Sequence, residues 1–359
     1  MSNHQIDPQQ ISLFEALEDC RPIKRGIRGG IGAHSFHTIS SVENLLESWQ
    51  EFLLGKRNRK DVIQFSLHFM DNVLALHHEL VNKTYRHGGY QPFRICDPKP
   101  RDIHKAIVRD RLVHHAIYRV LYPYFDRQFI HDSYSCRDQK GTHRAINRFR
   151  AFGHKVSRNH TRTAWVLKCD IRKFFANIDH AILLHILKKN IGDADTIWLL
   201  EEVIGSFQTA GRPGVGLPLG NLTSQILVNI YMNEFDQFVK RNLNVRYYIR
   251  YADDFVVLHE DRSYLIELIS KIATFLGQEL GLSLHPKKVS ITTLASGVDF
   301  LGWVHFSYHR VLRTSTKRRM LRRVKGSDVS EATIASYRGM LSHGNTRKLC
   351  LFVSSPQTR

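Results

Sequence analysis

The chain has 359 residues and is 42% hydrophobic, which is enough to bury two or three packed subdomains and excludes a disordered protein. Lysine and arginine number 52 against 33 acids, and the net charge of +19 favours a nucleic-acid partner over the alternative of a merely basic surface. Five widely spaced cysteines argue against zinc knuckles and a disulfide framework. The polar N-terminus argues against a signal peptide, and no apolar run approaches the length of about 20 residues that a membrane span needs. A soluble cytoplasmic protein is therefore expected.

The first part of the chain predicts a basic arm followed mainly by helices. Residues 1–40 contain the Gly- and Arg-rich stretch "KRGIRGGIGAHS", which is typical of a flexible arm. A serine cap before apolar residues predicts a helix over 41–54, and apolar residues at helical spacing predict a second helix over 61–82. Residues 90–106 predict two strands joined by a turn, and residues 108–125 predict a helix that its proline ends.

The rest of the chain alternates between strand and helix patterns. In chain order the patterns predict a strand-rich run over 163–179, a helix over 180–191, a glycine loop over 211–225, a helix over 226–243, two strands within 245–260, a helix over 263–281, strand-like pieces over 282–291 and 297–306, and short basic helices in the tail. Strands and helices interspersed with local hairpins indicate the α+β class.

Two adjacent acids interrupt a strand pattern in "RYADDFVVLHE". Burying Asp253 and Asp254 there is costly unless a cation or tight hydrogen bonds compensate. Asp170 follows another strand-like run, "WVLKC", and would complete a group of three carboxylates if the two strands lie side by side. Such a group suits two Mg²⁺ ions about 4 Å apart that activate a hydroxyl and stabilise a departing pyrophosphate. Taken singly, these residues also fit ordinary turn aspartates.

Seven ordered motifs carry a resemblance to the reverse transcriptases. "DIRKFF" resembles motif A of that family, "GLPLGNLTSQ" resembles motif B and "YADD" resembles motif C. "LSLHPKKVSI" is similar to motif D and "FLGW" to the primer grip, while "DPKPRDIHKAIVRDRLVHHAI" and "SYSCRDQKGTHRAI" are similar to two finger motifs of intron-type members. The resemblance covers about residues 90–305 and implies a right-hand polymerase fold with RNA-directed DNA polymerase activity.

The resemblance also implies a division of the chain into four parts. These are a basic arm at 1–40, N-terminal helices and fingers at 41–165, a palm with motifs A to E at 166–310, and a short basic thumb at 311–359. The last part is expected to be too short for an RNase H or endonuclease domain. Its basic stretch "TSTKRRMLRRVKG" is expected to follow the backbone of a duplex.

Roles for site residues follow from the same resemblance. Asp170, Asp253 and Asp254 would bind two Mg²⁺ ions, for which Mn²⁺ can substitute, with the Ile171 carbonyl as a further ligand. Arg101 would contact the triphosphate through forked hydrogen bonds.

Two further roles leave a choice between neighbouring residues. Lys288 would protonate pyrophosphate, although Lys287 is an alternative. Phe175 would exclude a ribose 2′-hydroxyl from the nucleotide site, although Phe174 is an alternative.

Motif B narrows the resemblance to one group. Leu219 stands where most of the family has Gln, and Ser224 is followed by Gln225 rather than by Pro; Gly220 and Gln225 would also lie in the nucleotide site. This pattern resembles the reverse transcriptases of diversity-generating retroelements, which copy a template RNA into cDNA with errors opposite adenines. The resemblance implies template RNA, a primer or cDNA strand, dNTPs and a small basic accessory protein as partners, and no membrane. The alternatives are a phage-defence or retron-like reverse transcriptase and a non-catalytic RNA-binding protein on a polymerase scaffold.

Overall fold

A computed structural model describes residues 36–96, 100–325 and 329–354, so the predicted arm over 1–35 lies outside the described residues. The first described element is a short helix, α1 (Phe36–Ser40), which the prediction included in the arm. Phe36 and Ile39 of α1 are buried in the main hydrophobic core. The chain is therefore packed from residue 36 onwards.

The N-terminal helices follow the apolar patterns, with one difference. Helix α2 (Val42–Phe52) begins as predicted, because the Ser41 side chain accepts a hydrogen bond from the Asn44 N–H. The single helix predicted over 61–82 is wrong, since two helices, α3 (Lys60–Leu67) and α4 (Phe69–Val81), meet at His68. His68 has φ −122° and ψ 43°, outside the helical region. Neither Gly nor Pro marks this position, and Trp49 of α2 packs against Phe65 before the break and against Phe69 after it.

The next elements are a hairpin and two helices. Strands β1 (Tyr90–Ile95) and β2 (Arg101–Ala106) pair antiparallel, as predicted, and the long helices α5 (Val108–Asp126) and α6 (Thr142–Val156) follow. The prediction that a proline ends α5 is wrong, because the helix continues through Pro123 to Asp126. A proline in the last turn removes one hydrogen bond, and the burial of Phe125 in the core holds the remaining residues helical.

A four-stranded antiparallel sheet lies at the centre of the molecule. Its strands are β3 (Trp165–Asp170), β4 (Tyr248–Tyr251), β5 (Asp254–His259) and β6 (Ser290–Thr293), in the order β4-β5-β3-β6. The helices that accompany the sheet are α7 (His180–Asn190), α8 (Ala194–Gly205), α9 (Leu222–Gln237) and α10 (Arg262–Leu280). The largest hydrophobic cluster joins these helices to the sheet and to the N-terminal helices.

Some boundaries around this sheet differ from the prediction. The strand predicted over 163–179 ends at Asp170, and a short 3₁₀ turn, Phe174–Asn177, follows it. Helix α9 begins at Leu222, inside the predicted glycine loop. Of the piece predicted over 282–291, only the last two residues lie in a strand, β6, which continues to Thr293. The preceding residues instead bond to the end of β3, with the His285 N–H donating to the Asp170 carbonyl at 2.8 Å.

The C-terminal part has its own small sheet and core. Strands β7 (Val298–Phe300), β8 (Trp303–His305) and β9 (Arg310–Leu312) form an antiparallel sheet, followed by helices α11 (Thr314–Val324), α12 (Glu331–Leu341) and α13 (Arg347–Ser354). The buried apolar residues of β8, β9 and these helices form a separate cluster that also includes Ile146 of α6. Val298 and Phe300 of β7 instead belong to a cluster with the central sheet. The predicted α+β class is confirmed. Among the described residues, no helix has the length and apolar character needed to span a bilayer.

Candidate active site

Three aspartates are brought together by the pairing of β3 with β5. The register of these antiparallel strands places Asp170, the last residue of β3, opposite Asp254, the first residue of β5. Asp253 precedes Asp254 in the turn after β4, and its carbonyl accepts a hydrogen bond of 3.2 Å from the Ile171 N–H. The predicted carboxylates therefore share one end of the strand pair.

The turn that carries Asp253 is anchored by a buried arginine. Ala252 has a left-handed φ of 53°, an unfavourable conformation for a residue with a Cβ atom. Its carbonyl accepts a hydrogen bond of 3.2 Å from Nη1 of Arg250. Arg250 in turn donates to the carboxylate of Asp236 on α9, from Nε at 2.8 Å and from Nη2 at 2.7 Å. This ion pair ties the turn to the helix behind the sheet.

Arg250 and Asp236 are the residues of this site that the sequence analysis missed. Both are 0% exposed, and the Tyr248 hydroxyl also donates to Asp236 at 2.7 Å. Arg250 interrupts the apolar run "YYIRYA" of its strand, whereas Asp236 lies in the mixed segment "NEFDQF" of its helix. Because a buried charge needs a partner, the arginine within the strand pattern was the available signal, and nothing local marked Asp236 as its partner.

Crowding raises the pKa of both turn aspartates. Burial and then the charge of Asp170 raise the pKa of Asp253, while the positive charges of Arg101 and Lys288 offset part of this rise. Burial and then the charge of Asp253 raise the pKa of Asp254 to about 6. An added cation would stabilise the charged form of such carboxylates.

Lys288 lies beside the aspartates, and its neighbour does not. The Nζ atom of Lys288 is 2.7 Å from both carboxylate oxygens of Asp170. A turn at His285 brings the lysine back towards β3, since the Lys288 N–H donates to the His285 carbonyl at 2.9 Å. Lys287 is exposed, and the structure gives its side chain no contact with the aspartates. The geometry therefore favours Lys288 of the two candidates.

The donor set of this site fits a hard divalent cation. Carboxylate oxygens are the ligands that Mg²⁺ prefers, together with substrate phosphates. Within the described residues, no three His, Cys, Asp or Glu side chains already form a metal-binding group. Lys288 contacts both oxygens of Asp170, so a metal ion on this carboxylate would share it with the ammonium group or displace that group.

The two phenylalanines after β3 have different environments. Phe174 is buried in the main core, whereas Phe175 is only partly buried and packs at the edge of that core. Their rings meet edge to face with centroids 5.4 Å apart. The Phe175 carbonyl accepts a hydrogen bond of 2.9 Å from the Leu217 N–H in the glycine loop. The backbone of Phe175 is therefore bonded to the loop, and of the two rings only that of Phe174 is fully buried in the core.

The glycine loop before α9 is bonded to strand β2. The His104 N–H donates to the Leu219 carbonyl at 3.0 Å, and the Asn221 side chain donates to the His104 carbonyl at 2.8 Å. Gly220 has a φ of 101°, and a Cβ atom there would lie 2.6 Å from Cγ2 of Ile103. Only glycine allows this approach. The loop thus connects the β1–β2 hairpin to the helix that supports the sheet.

The remaining predicted site residues lie on the same elements. Arg101 is exposed at the start of β2, and Leu219 is half-buried in the loop. Gln225 is buried in the first turn of α9, and Ile171 is buried directly after β3. Their contacts with nucleotide or metal remain predictions.

A carboxylate pair at a hairpin turn beside a third carboxylate at a neighbouring strand end is the palm of a nucleotidyl-transferring polymerase. The sequence profile of the family "Reverse transcriptase (RNA-dependent DNA polymerase)" matches residues 96–305, more than half of the chain. The chain belongs to the reverse transcriptase family, whose right-hand polymerase fold agrees with the mixed helices and sheets described above.

Relatives in bacteria share this region. The chain is 27% identical to Protein YkfC from Escherichia coli (strain K12), over 68% of this chain and 73% of that protein. It is 28% identical to the group II intron-encoded protein LtrA from Lactococcus lactis subsp. cremoris, over 36% of this chain and only 21% of LtrA.

A solved structure of telomerase from Candida albicans, in complex with a fragment of telomeric RNA, is also similar. It has a TM-score of 0.49 and 10% identity, and the likeness covers 74% of this chain and 54% of that chain. A likeness this distant carries no conclusion about this chain.

Proposed function

We propose that this chain is an RNA-directed DNA polymerase that transfers deoxynucleotides to a primer paired with template RNA. The observation that carries the proposal is the register of β3 with β5, which sets Asp170 opposite Asp254 beside the Asp253 turn. Membership in the reverse transcriptase family supports the same reaction.

In this proposal Asp170, Asp253 and Asp254 hold two Mg²⁺ ions, with the Ile171 carbonyl as a further ligand. Reverse transcriptases as a family use divalent metal ions, and bound Mg²⁺ would activate the primer 3′-hydroxyl and neutralise charge on pyrophosphate. Mn²⁺ would substitute. Arg101 binds the triphosphate, and its location close enough to influence the pKa of Asp253 supports this role.

Lys288 would move away from Asp170 and then protonate the pyrophosphate as the pyrophosphate departs. Its 2.7 Å contacts with that carboxylate support a location within reach of the reacting groups. Leu219, Gly220 and Gln225 would form the floor of the nucleotide site, next to the Phe175 ring.

The test of this activity is primer extension on RNA with the purified chain. We expect extension of a DNA primer on an RNA template with Mg²⁺, loss of extension when a chelator removes the metal, and recovery when Mg²⁺ or Mn²⁺ is restored. RNA binding without extension under any metal condition would support the non-catalytic alternative instead.

We further propose that the enzyme works in a diversity-generating retroelement, in the cytoplasm and with a small basic accessory protein. The feature that favours this setting is Leu219, at the loop position where the resemblance to the family implies Gln in most members. A Gln amide could form a directional contact with the nucleotide, whereas Leu offers packing only. Loss of one such contact, worth about 1 kcal/mol, lowers discrimination several-fold.

The test of the setting is the Leu219→Gln variant. We expect fewer misincorporations opposite template adenines, with little change opposite the other three bases, when cDNA from the cognate RNA is sequenced. Ser224→Ala is a control in the same segment. High fidelity of the wild-type enzyme at adenines, with RNA and accessory protein present, would favour a phage-defence or retron-like enzyme.

A further inference from the structure

A polar cavity of about 480 Å³ lies outside the aspartate site. Its walls come from α6, from the turn that joins β8 to β9, and from the loop between α12 and α13. Leu294, which lines the cavity, donates its N–H to the Ala164 carbonyl just before β3, whereas Asp170 is the last residue of β3. The cavity therefore lies towards the end of β3 that is opposite to the aspartates.

Arg310 lines this cavity with unused hydrogen-bonding capacity. The residue is only 9% exposed, and its Nε atom donates to the His343 carbonyl. Its Nη2 atom donates to Oδ1 of Asn147 at 2.8 Å. The Nη1 atom is buried and has no hydrogen-bond partner. A buried cationic donor without an acceptor is unfavourable, so the arrangement calls for an acceptor that enters the cavity.

His305 adds to the same cavity a second polar atom that has no hydrogen-bond partner. The residue is 3% exposed, and its Nε2 atom is buried without a hydrogen-bond partner. Burial, followed by the charge of Arg310, lowers the pKa of His305 to about 4, so the ring is neutral near pH 7. A ribose hydroxyl suits either tautomer of a neutral imidazole, because it both donates and accepts a hydrogen bond.

The charged side chains that line the cavity are positive, and the nearest acid that influences His305 is Asp299 of β7, which does not line the cavity and is paired with Arg313. Arg150 also lines the cavity. Burial is the larger cause that lowers the pKa of Arg310, and the positive charge of Arg150 is the second cause. Burial and the charge of Arg310 likewise lower the pKa of His343. No Asp or Glu is among the residues that line the cavity in the described parts of the chain. A cavity with two guanidinium groups and no carboxylate attracts an anion.

An exposed aromatic ring stands at the mouth of the cavity. Tyr308, in the β8–β9 turn, is 73% exposed, and its ring lies 4.7 Å from that of His160. The same turn is closed by the stacked rings of Phe306 and His309, 4.8 Å apart. Exposed tyrosines beside cationic grooves bind the bases of single strands by stacking.

We propose that this cavity binds one nucleotide unit of a single-stranded RNA, remote from the aspartates. The phosphate contacts Nη1 of Arg310 and the guanidinium of Arg150, a ribose hydroxyl bonds to Nε2 of His305, and the base stacks on Tyr308. The cavity volume is that of a site for a small ligand, which matches one nucleotide. An acidic peptide would satisfy the arginines but would leave Tyr308 and His305 unused, so RNA fits the residues better.

The first experiment locates the RNA on the protein. Single-stranded RNA carrying 4-thiouridine is cross-linked to the full chain bearing Asp253→Asn, so that the result does not depend on polymerisation. We expect an adduct on the peptide that contains residues 306–309. Tyr308→Ala should abolish this adduct, and Tyr308→Phe should retain it, since stacking needs only the ring. Adducts confined to peptides of the aspartate site would overturn the proposal.

The second experiment tests the phosphate contact through the salt dependence of RNA affinity. Removing one phosphate contact to a single strand changes the slope of log affinity against log salt by about 0.7. We expect this change for Arg150→Gln, whose side chain is exposed, and no change for Lys271→Gln, which removes one exposed charge from α10. Arg310→Gln should act like Arg150→Gln, with circular dichroism as the check on folding. Equal slopes for the Arg150 and Lys271 variants would contradict the proposal.

Competition distinguishes a strand from a free phosphate compound. We expect unlabelled single-stranded RNA to prevent the adduct at residues 306–309, while inorganic phosphate and adenosine monophosphate at equal phosphate concentration do not. Full competition by adenosine monophosphate would show a site for free nucleotides. Full competition by a poly-glutamate peptide would show a site for acidic peptides. Either of these results would overturn the assignment to RNA.

Discussion

At the residue scale, the neighbouring phenylalanines give a direct test of sugar selection. Phe175 is partly buried beside the glycine loop, whereas Phe174 is in the core. We expect Phe175→Ala to raise ribonucleotide incorporation relative to deoxyribonucleotide incorporation by about tenfold or more, because the ring no longer excludes a 2′-hydroxyl. The measurement is single-nucleotide primer extension with each sugar.

Phe174→Ala is the matched control for that variant. It should lower the free energy of unfolding by about 3–5 kcal/mol through loss of core packing and leave sugar selection unchanged. Relaxed sugar selection in Phe174→Ala, with normal selection in Phe175→Ala, would show that the other ring is the gate.

The two adjacent lysines give a second comparison. Lys288→Ala should slow nucleotide incorporation by about a hundredfold or more if the ammonium group protonates pyrophosphate. Lys287→Ala removes the same charge one residue away and should have little effect, since its side chain is exposed and does not contact the aspartates. The measurement is the single-turnover rate at saturating dNTP. Equal effects of the two variants would mean that both act only through general charge.

Asp138 gives a pH dependence that is unrelated to the active site. Burial and then the charge of Asp126 raise the pKa of Asp138 from 3.8 to about 6. Because its pKa is higher in the folded state than in the unfolded state, the protonated carboxyl group favours folding. This contribution to the free energy of unfolding is fully present below pH 3.8 and is lost as the pH rises through about 6. Because Asp138 is half exposed, we expect Asp138→Asn to add only about 1 kcal/mol to the free energy of unfolding above about pH 7.

The same variant should have no effect on stability below about pH 3, where the carboxyl group is protonated in both states. Denaturant titrations at the two pH values measure the difference. A gain in stability of the same size at both pH values would contradict the assigned shift in pKa.

At the scale of elements, the pair of Arg250 on β4 with Asp236 on α9 links the sheet to its supporting helix. Arg250→Met leaves the Asp236 carboxylate buried without its partner, and we expect a loss of about 3–5 kcal/mol in the free energy of unfolding. Arg246→Met, which removes an exposed cation nearby, should change stability by less than about 0.5 kcal/mol. Chemical denaturation measures both variants.

A double variant separates stability from positioning. Arg250→Met combined with Asp236→Leu should recover most of the lost stability, because no unpaired charge remains. Its rate of nucleotide incorporation should stay low, since the Ala252 carbonyl has lost its donor and the Asp253 turn its anchor. Recovery of both stability and rate would show that the ion pair has no positioning role.

Elements with a strong local signal were predictable from the sequence. The serine cap of α2 and the strand patterns around Asp253 gave both elements near their observed bounds. The break at His68 and the continuation of α5 through Pro123 depend on burial against distant parts of the chain, which a local pattern does not contain. For the same reason, the pairing of Arg250 with Asp236 was not predicted.

The candidate site divides in the same way. The three aspartates and the order of the motifs are visible in the sequence, because both chemistry and family resemblance mark them. The contact of Lys288 with Asp170 and the bonding of the glycine loop to His104 arise only when elements distant in the chain meet. Neither contact leaves a periodic or compositional signal.

At the scale of the whole molecule, the proposed function connects the net charge of +19 with the sheet register. In that proposal the positive surface attracts a nucleic-acid duplex, and the three aspartates stand where the primer end would react. Substitutions should therefore separate nucleic-acid binding from catalysis. We expect variants of the aspartates to lower the rate of nucleotide incorporation and to leave the affinity for RNA unchanged.

The measurement that tests this account most directly compares Asp253→Asn and Asp254→Asn with wild type and with Glu260→Gln. Glu260 is an exposed acid just after β5, so its variant removes one negative charge without touching the aspartates. Single-nucleotide incorporation on a primed RNA template is measured beside RNA affinity. Both aspartate variants should lose at least about a thousandfold in rate while keeping wild-type affinity and circular dichroism, and Glu260→Gln should behave as wild type. Undiminished incorporation by either aspartate variant would contradict the account.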